Sequence, residues 1–454
     1  MPRKTFIVGV GMTAFTRPRG EIDYPELAVE AATKVNNNCS TGSTALFLAK
    51  QMVEAGICEC TMALGFEKMR PGSLGSNFDD RCPPLSKTVE MTAELAKGTS
   101  TGPFGISSSS PLPSLSKSTN LFILSRPNIR QRSRRMFVAS PLKPSSLPPP
   151  PLIEFPHPPD ISKTSATWTH VAKIASKNHL HSISNPYSQF RNGMTYEEVL
   201  ADKPVTNYLT RAECCPTSDG AACAIIASEE FVRKWGLENQ AVEIVGMSLK
   251  TDSVRLFEDR SAVELTGADM TRQAAKEAFR QAGIRPDQCC VVELHDCFAA
   301  NELLVYDALG LCEPGKAGEM VDAGDNTYGG KYVINPSGGL ESKGHPLGAT
   351  GIGMAFYIVN QLRGWAGPLQ APEALPGVAE AKGKEAYGLA HNLGLGGACV
   401  VTVMKRPSFW KASGEDGRDR VGYNHAAECR RVTREDVEKV RSVKAFSEYA
   451  MVDI

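Results

Sequence analysis

Cys39 stands where a polar turn, Asn36-Asn37-Asn38, gives way to the small residues Ser40, Thr41, Gly42 and Ser43. Apolar residues then recur at Ala45, Leu48, Ala49, Met52 and Val53, a spacing of three and four that predicts a helix over Gly42–Ala55. A sulfur at the mouth of a helix faces unpaired N–H groups and the positive end of the dipole. A thiolate there is expected to have a lowered pKa, and the small neighbours leave room for a substrate. A cysteine alone is more often a buried apolar residue, so the other reactive groups must decide.

His345 lies in SKGHPLGATG, between glycines and a proline that fix the loop. An imidazole so placed takes a proton from a thiol or donates a hydrogen bond to a developing oxyanion. His295 and Cys297, in HDCF, follow the strand predicted at Val291–Leu294 and precede the helix predicted from Ala300. Open α/β sheets place ligands at the carboxyl ends of their strands, so both side chains are expected in one cleft. The turn HNLGLGG, His391–Gly397, offers backbone N–H groups to a ligand at close approach. Gly9-Val-Gly11 and Gly394-Leu-Gly396 lack the full dinucleotide fingerprint, which argues against nicotinamide binding.

The elements that must position these residues form a repeating pattern. Strands are predicted at Thr5–Gly11, Thr61–Gly65, within Cys215–Ala227, and at Ala241–Leu249, Val291–Leu294, Ala386–His391 and Ala398–Lys405. Helices are predicted at Tyr24–Lys34, Gly42–Ala55, Asp269–Ala282 and Gly348–Arg363, with a further one in the tail from Thr433. The alternation indicates an α/β fold with a mainly parallel sheet. CSTGSTA from Cys39 and HPLGATG from His345 match in outline: a reactive residue, a glycine three positions on, then a threonine that opens a helix. A duplicated unit would set the two reactive residues at equivalent helix mouths, facing each other across a pseudo-twofold axis.

Bulk properties exclude several classes. Fifty basic residues balance fifty acidic ones among 454, which gives no reason to expect a nucleic-acid surface. No apolar run is long enough for a membrane span, and MPRKTFIVGVGM is too short and strand-like for a secretory signal. Thirteen scattered cysteines point to a reducing compartment. Cys58 with Cys60, and the doublets Cys214-Cys215 and Cys289-Cys290, lack the spacing of a tetrahedral zinc site, so no metal is expected. Between about Thr99 and Ile161 serine and proline dominate around the basic run Arg126–Arg135, a composition that reads as a solvated segment without its own core.

NNNCSTGS, HDCF, NPSGGLESKGHPLGATG and HNLGLGGA, in this order, resemble the thiolase domain of the sterol carrier protein 2/x family, peroxisomal 3-oxoacyl-CoA thiolases. CCPTSDGAA and GDNTYGGKYVINPSGG extend the likeness, which covers roughly residues 35–97 and 168–406. The resemblance implies a thiolase fold: a duplicated α-β-α-β-α core of five layers, usually dimeric, using coenzyme A as substrate and no cofactor. It implies Cys39 as the acyl-accepting nucleophile, His345 as its base, and Cys297 as the acid in place of a late CxG cysteine, where Asn392 now stands. One oxyanion hole would come from His295 and His345, the other from the N–H groups of Cys39 and Gly394. Asn335, Ser337, Gly338 and Asn392 would contact substrate.

Against that pattern the first half is expected to be incomplete, since one helix alone fits between Gly11 and Cys39. The expected division is a shortened first half at 1–97, the Ser/Pro-rich insert at 98–167, and the rest of the loop domain and first half at 168–240. The second half follows at 241–407 and a polar tail at 408–454. That tail has too few apolar residues to enclose a lipid, so a sterol-carrier domain is not expected there. The terminal Met-Val-Asp-Ile is not an SKL-type signal, so a peroxisomal location follows from the resemblance alone, with the cytoplasm as the alternative. Two rival functions stay open: a ketoacyl-synthase-type condensing enzyme, and a non-catalytic protein that keeps the acyl-CoA cleft. HDCF and GHPLGATG favour the thiolase.

Overall fold

In β1 (Thr5–Met12) side chains alternate between two cores. Phe6 and Val8 pack with Ala227, Val232 and Ala241, while Ile7 faces the opposite way into a larger cluster. Two-sided burial recurs in the strands Cys289–Glu293, Tyr387–Gly394 and Ala398–Lys405, where helices cover the sheet on both faces. The structure is a computed structural model that describes residues 3–17, 39–69, 166–205, 209–258, 261–395 and 397–410. The helices expected at Tyr24–Lys34 and from Thr433, the basic run Arg126–Arg135 and nearly all of the Ser/Pro-rich stretch lie outside those residues.

The elements that matter for the site follow in chain order. After β1 come α1 (Thr41–Glu54), β2 (Cys60–Glu67), α2 (Trp168–His181), β3 (Gly220–Ser228), α3 (Glu229–Lys234) and β4 (Val242–Lys250). The second half supplies α4 (Ala268–Ala282), β5 (Cys289–Glu293), α5 (Ala299–Ala308), β6 (Val333–Ile334), α6 (Gly339–Lys343), α7 (Leu347–Arg363), β7 (Tyr387–Gly394) and β8 (Ala398–Lys405). The described strands form one eight-stranded sheet in the order β2-β3-β1-β4-β8-β7-β5-β6.

The expectation of a mainly parallel sheet does not hold. Among the described strands every pairing from β2 across to β7 is antiparallel, and only β5 with β6 and β5 with β7 run parallel. Two features explain the difference. β3 and β4 run the same way, as a strand-helix-strand unit should, but β1 is inserted antiparallel between them. β7 and β8 are joined by a tight glycine turn, which permits only a hairpin.

Helices and strands stack as five layers. α3 covers β1 and β3; α1 and α7 lie side by side between the two parts of the sheet; α4 covers β4 and β8, with α5 and α2 packed beyond it. α7 is buried along its whole course from Gly348 to Arg363, as a helix covered on all sides must be. α4 has instead one buried stripe, Met270, Ala274, Ala275, Ala278 and Phe279, and puts Arg272 and Arg280 in solvent. The expected duplicated α/β layering is therefore present. No helix among the described residues is long and apolar enough to cross a membrane.

Candidate active site

The two repeat-related segments meet at the centre of the molecule. Cys39 lies two residues before the first residue of α1, and His345 two residues before the first of α7. The turns also share a hydrogen bond: the Thr44 hydroxyl donates to the carbonyl of Ser40 at 3.0 Å, and the Thr350 hydroxyl to that of Pro346 at 2.9 Å. The helices touch at the matching glycines. A Cβ on Gly42 would stand 2.7 Å from the Gly348 carbonyl oxygen, so neither helix mouth could approach with a side chain there.

That approach brings the reactive groups together. The sulfur of Cys39 and one ring nitrogen each of His295 and His345 lie within 4.8 Å of one another. The two imidazoles meet edge to face, with ring centroids 5.0 Å apart. Their hydrogen bonds fix opposite tautomers. The Thr350 hydroxyl already donates to Pro346, so at 2.7 Å it accepts from His345 Nδ1–H. The Nε2 of His345 is then left with a lone pair, buried and without a partner. At His295 the donor is Asn392 Nδ2, 3.2 Å from Nδ1, so the ring proton sits on Nε2. One imidazole offers a base and the other a donor.

Charge in the site is governed by exclusion of water. Burial, with a smaller effect of Lys343, lowers His345 to about 3. Burial, then His345 and His391, hold His295 well below the ordinary histidine range. Both rings are thus neutral at physiological pH. The expected lowering of Cys39 does not hold: burial pushes its thiol up to about 12, and the nearby Glu67 carboxylate adds to the rise. Among the described residues no cation offsets this, and Glu67 itself satisfies the mouth of α7, accepting from Gly348 N at 3.1 Å. Cys39 rests as a thiol, so any attack by its sulfur requires that proton to leave. Cys297 is also held well up, by burial and then by Cys39 and Asp296.

The predicted substrate contacts divide. Asn392 is at the centre, holding His295. Gly394 follows two residues on along β7, on the same face of the strand. Asn335 and Ser337, also expected to contact substrate, are buried and engaged by other side chains, and Gly338 is packed against Ser182. Asn335 accepts from Leu294 N and donates to Glu302. Ser337 donates to Glu293 and accepts from Lys343. A side chain on Gly338 would strike Ser182. Through Leu294 N, Asn335 braces the strand that ends at His295.

Other positioning residues were not apparent from sequence. The backbone N–H of His345 donates to Ser218 Oγ at 3.0 Å, and that of His295 to His391 Nδ1 at 3.4 Å. Asp296 ties the HDCF turn to the α6 segment that leads to His345: its carboxylate accepts from Leu340 N at 2.8 Å and from Asn178 Nδ2 at 3.0 Å. The same Asn178 nitrogen reaches Glu302 at 2.9 Å and Glu341 at 3.1 Å. Two amide protons cannot serve three buried carboxylates, so this cluster retains protons. Burial and then Glu302 raise Asp296 to about 8, and burial and Asp296 hold Glu341 well above the carboxylate range. Cys215 lies alongside, its N–H donating to the carbonyl of Cys297 at 3.0 Å.

A cysteine and two histidines at the turns of a duplicated α/β unit are the equipment of a thiolase-fold acyltransferase, and comparison with known proteins agrees. Residues 255–388 match the family model of the thiolase C-terminal domain. The solved structure of human mitochondrial 3-ketoacyl-CoA thiolase aligns over 89% of this chain and 99% of its own, with a TM-score of 0.53 at 15% identity. An Ltp2-ChsH2(DUF35) aldolase structure aligns over 89% and 98%, with a TM-score of 0.59 at 16% identity. Sterol carrier protein 2 of Oryctolagus cuniculus is 41% identical over 451 residues, covering 89% of this chain and 72% of the rabbit protein. Non-specific lipid-transfer protein-like 2 of Caenorhabditis elegans is 36% identical over 452 residues, covering 88% and 96%. The chain belongs to the sterol carrier protein 2-type thiolase family.

Proposed function

We propose that this acyltransferase cleaves 3-oxoacyl-CoA with a second molecule of coenzyme A. The observation that supports this reading is the convergence of Cys39 with two neutral imidazoles of opposite tautomer. As Cys39 Sγ attacks the 3-keto carbon, its proton passes to His345 Nε2. His295 Nε2–H faces the oxygen on which negative charge grows, in a site where a fixed donor is worth far more than in water. Collapse breaks the bond between C2 and C3 and leaves an acyl group on Cys39 and the enolate of the shorter thioester. Cys297 protonates that enolate and, as a thiolate, takes the proton of the incoming coenzyme A thiol. The coenzyme A sulfur attacks the acyl-Cys39 carbonyl, with the N–H groups of Cys39 and Gly394 as the second oxyanion hole. Release of acyl-CoA returns the His345 proton to Cys39, so each group ends as it began.

The products are an acyl-CoA shortened by the departing unit and the departing thioester itself. A peroxisomal setting and a homodimer accompany this proposal, on the strength of the family. Cys39→Ser tests it: thiolysis of acetoacetyl-CoA and labelling by radioactive acyl-CoA should both be lost, and retention of either would remove Cys39 as the nucleophile.

A further inference from the structure

The grouping that serves an acyl carbon is also a set of metal donors. Cys39, His295 and His345 contribute one sulfur and two nitrogens, all within 4.8 Å of one another. Tetrahedral zinc, with bonds of about 2.0–2.1 Å to nitrogen and 2.3 Å to sulfur, sets neighbouring donors roughly 3.3–3.6 Å apart. A small turn of the Cys39 side chain and slight ring shifts close that gap. The spacings 39, 295 and 345 resemble no zinc motif, because the donors are gathered by the fold rather than by one loop.

Two further details point to a cation. His345 is buried, its Nδ1–H is donated to Thr350, and Nε2 is left aimed into the cluster without a partner. Metal-binding histidines are held in this way, one nitrogen anchored by a hydrogen bond and the other free to ligate. At His295 the Oδ1 of Asn392 is buried and unpartnered while Nδ2 faces the ring. Cation binding would turn that amide over and reverse the resting tautomer, so that Oδ1 accepts from Nδ1–H and Nε2 is freed as a ligand.

We propose that Cys39, His295 and His345 bind a zinc ion that inhibits the enzyme, with water from solvent as the fourth ligand. Binding forms a zinc–sulfur bond and releases the Cys39 proton to solvent, with no change of oxidation state. The bound ion occupies the base, the nucleophile and the oxyanion donor at once, so acyl transfer stops until a chelator removes it. The inference rests on the same convergence as the proposed function but not on the thiolysis reaction.

Cobalt(II) is the probe. The full chain, freed of metal by dialysis against chelator, is titrated with Co2+ and followed by the thiolate-to-cobalt charge-transfer band and the tetrahedral visible bands. Zn2+ is then added to displace it. Wild type should show both sets of bands at one equivalent and lose them to Zn2+. Cys39→Ser should abolish the charge-transfer band. Thr350→Val should weaken binding roughly 10–100-fold, the loss seen when the group that anchors a metal-bound histidine is removed. A band that survives Cys39→Ser, or no tetrahedral spectrum in folded wild type, overturns the proposal. If the cobalt results hold while Cys39→Ser still catalyses thiolysis, the zinc site stands and the proposed function falls. If Cys39→Ser loses turnover and wild type binds no cobalt, the reverse is true.

Discussion

Thr350→Val isolates the lone pair on which the proposed chemistry depends. The substitution keeps the shape of the side chain and removes only the hydroxyl that accepts from His345 Nδ1–H at 2.7 Å. His345 is buried, so the orphaned N–H has no solvent to turn to. An unmade hydrogen bond of this kind costs about 1–3 kcal/mol. The ring can escape that cost by moving its proton to Nε2, the atom that must receive the proton of Cys39. Moving the proton removes the base, and keeping it on Nδ1 leaves the imidazolium formed during attack without its acceptor. A differential cost of about 1–3 kcal/mol corresponds to roughly a 5–150-fold lower kcat. The assay is steady-state thiolysis of acetoacetyl-CoA, with alkylation of Cys39 by iodoacetamide as an independent measure of thiol activation. KM should change little, both rates should fall together, and Thr350→Ser should restore most of each. A folded Thr350→Val protein with wild-type kcat, or a Thr350→Ser variant equally impaired, would refute the assignment of His345 as a base held by Thr350.

Further predictions concern stability, proton inventory and the second half-reaction. A Cβ on Gly65 would lie 1.9 Å from the Gly348 carbonyl oxygen, so Gly65→Ala should cost at least the ~1–3 kcal/mol of an overpacked core, read as a lower midpoint in urea unfolding. Asp296, at about 8, and Glu341 keep protons in the folded state that they lose when unfolded, so stability is full below the ordinary carboxylate range and falls as pH rises towards 8. The buried histidines act in the opposite direction only below about 6.5, where the unfolded chain begins to protonate. Unfolding measured between pH 6.5 and 8 therefore isolates the carboxyls, and Glu341→Gln should flatten the decline; an unchanged slope would count against a retained proton. With His345 lowered to about 3, the acid limb of kcat/KM should show no histidine titration near 6.5. Cys297→Ala should still acylate Cys39 from a simple acyl-CoA but lose thiolysis by about 10²–10⁴-fold, the usual contribution of a positioned acid; equal loss of both steps would give Cys297 a different role.

Much of the site was readable because its chemistry is local. Cys39, His295 and His345 each sit in a short run of small residues at a predicted element boundary, and a matched glycine and threonine marked two of the runs as equivalent. The shared bonds of Thr44 and Thr350 give that match its physical content. Strand direction was not readable, since alternation of strand and helix does not reveal that β1 is inserted antiparallel between β3 and β4. The engagement of Asn335 and Ser337 was hidden for a related reason. Polar residues in a glycine-rich loop look available to a ligand, and only the distant partners Glu302, Glu293 and Lys343 show that they are already engaged. The Cys39 pKa followed the helix mouth in sequence and the surrounding desolvation in space, and desolvation prevails.

Rapid quenching of the protein with a 3-oxoacyl-CoA, followed by peptide mass spectrometry, examines the proposed chemistry at its key atom. The shortened acyl group should appear as a thioester on Cys39, form within the first turnover and disappear when coenzyme A is added. Full turnover without that adduct, or the acyl group found on Cys215 or Cys297 instead, would contradict the mechanism.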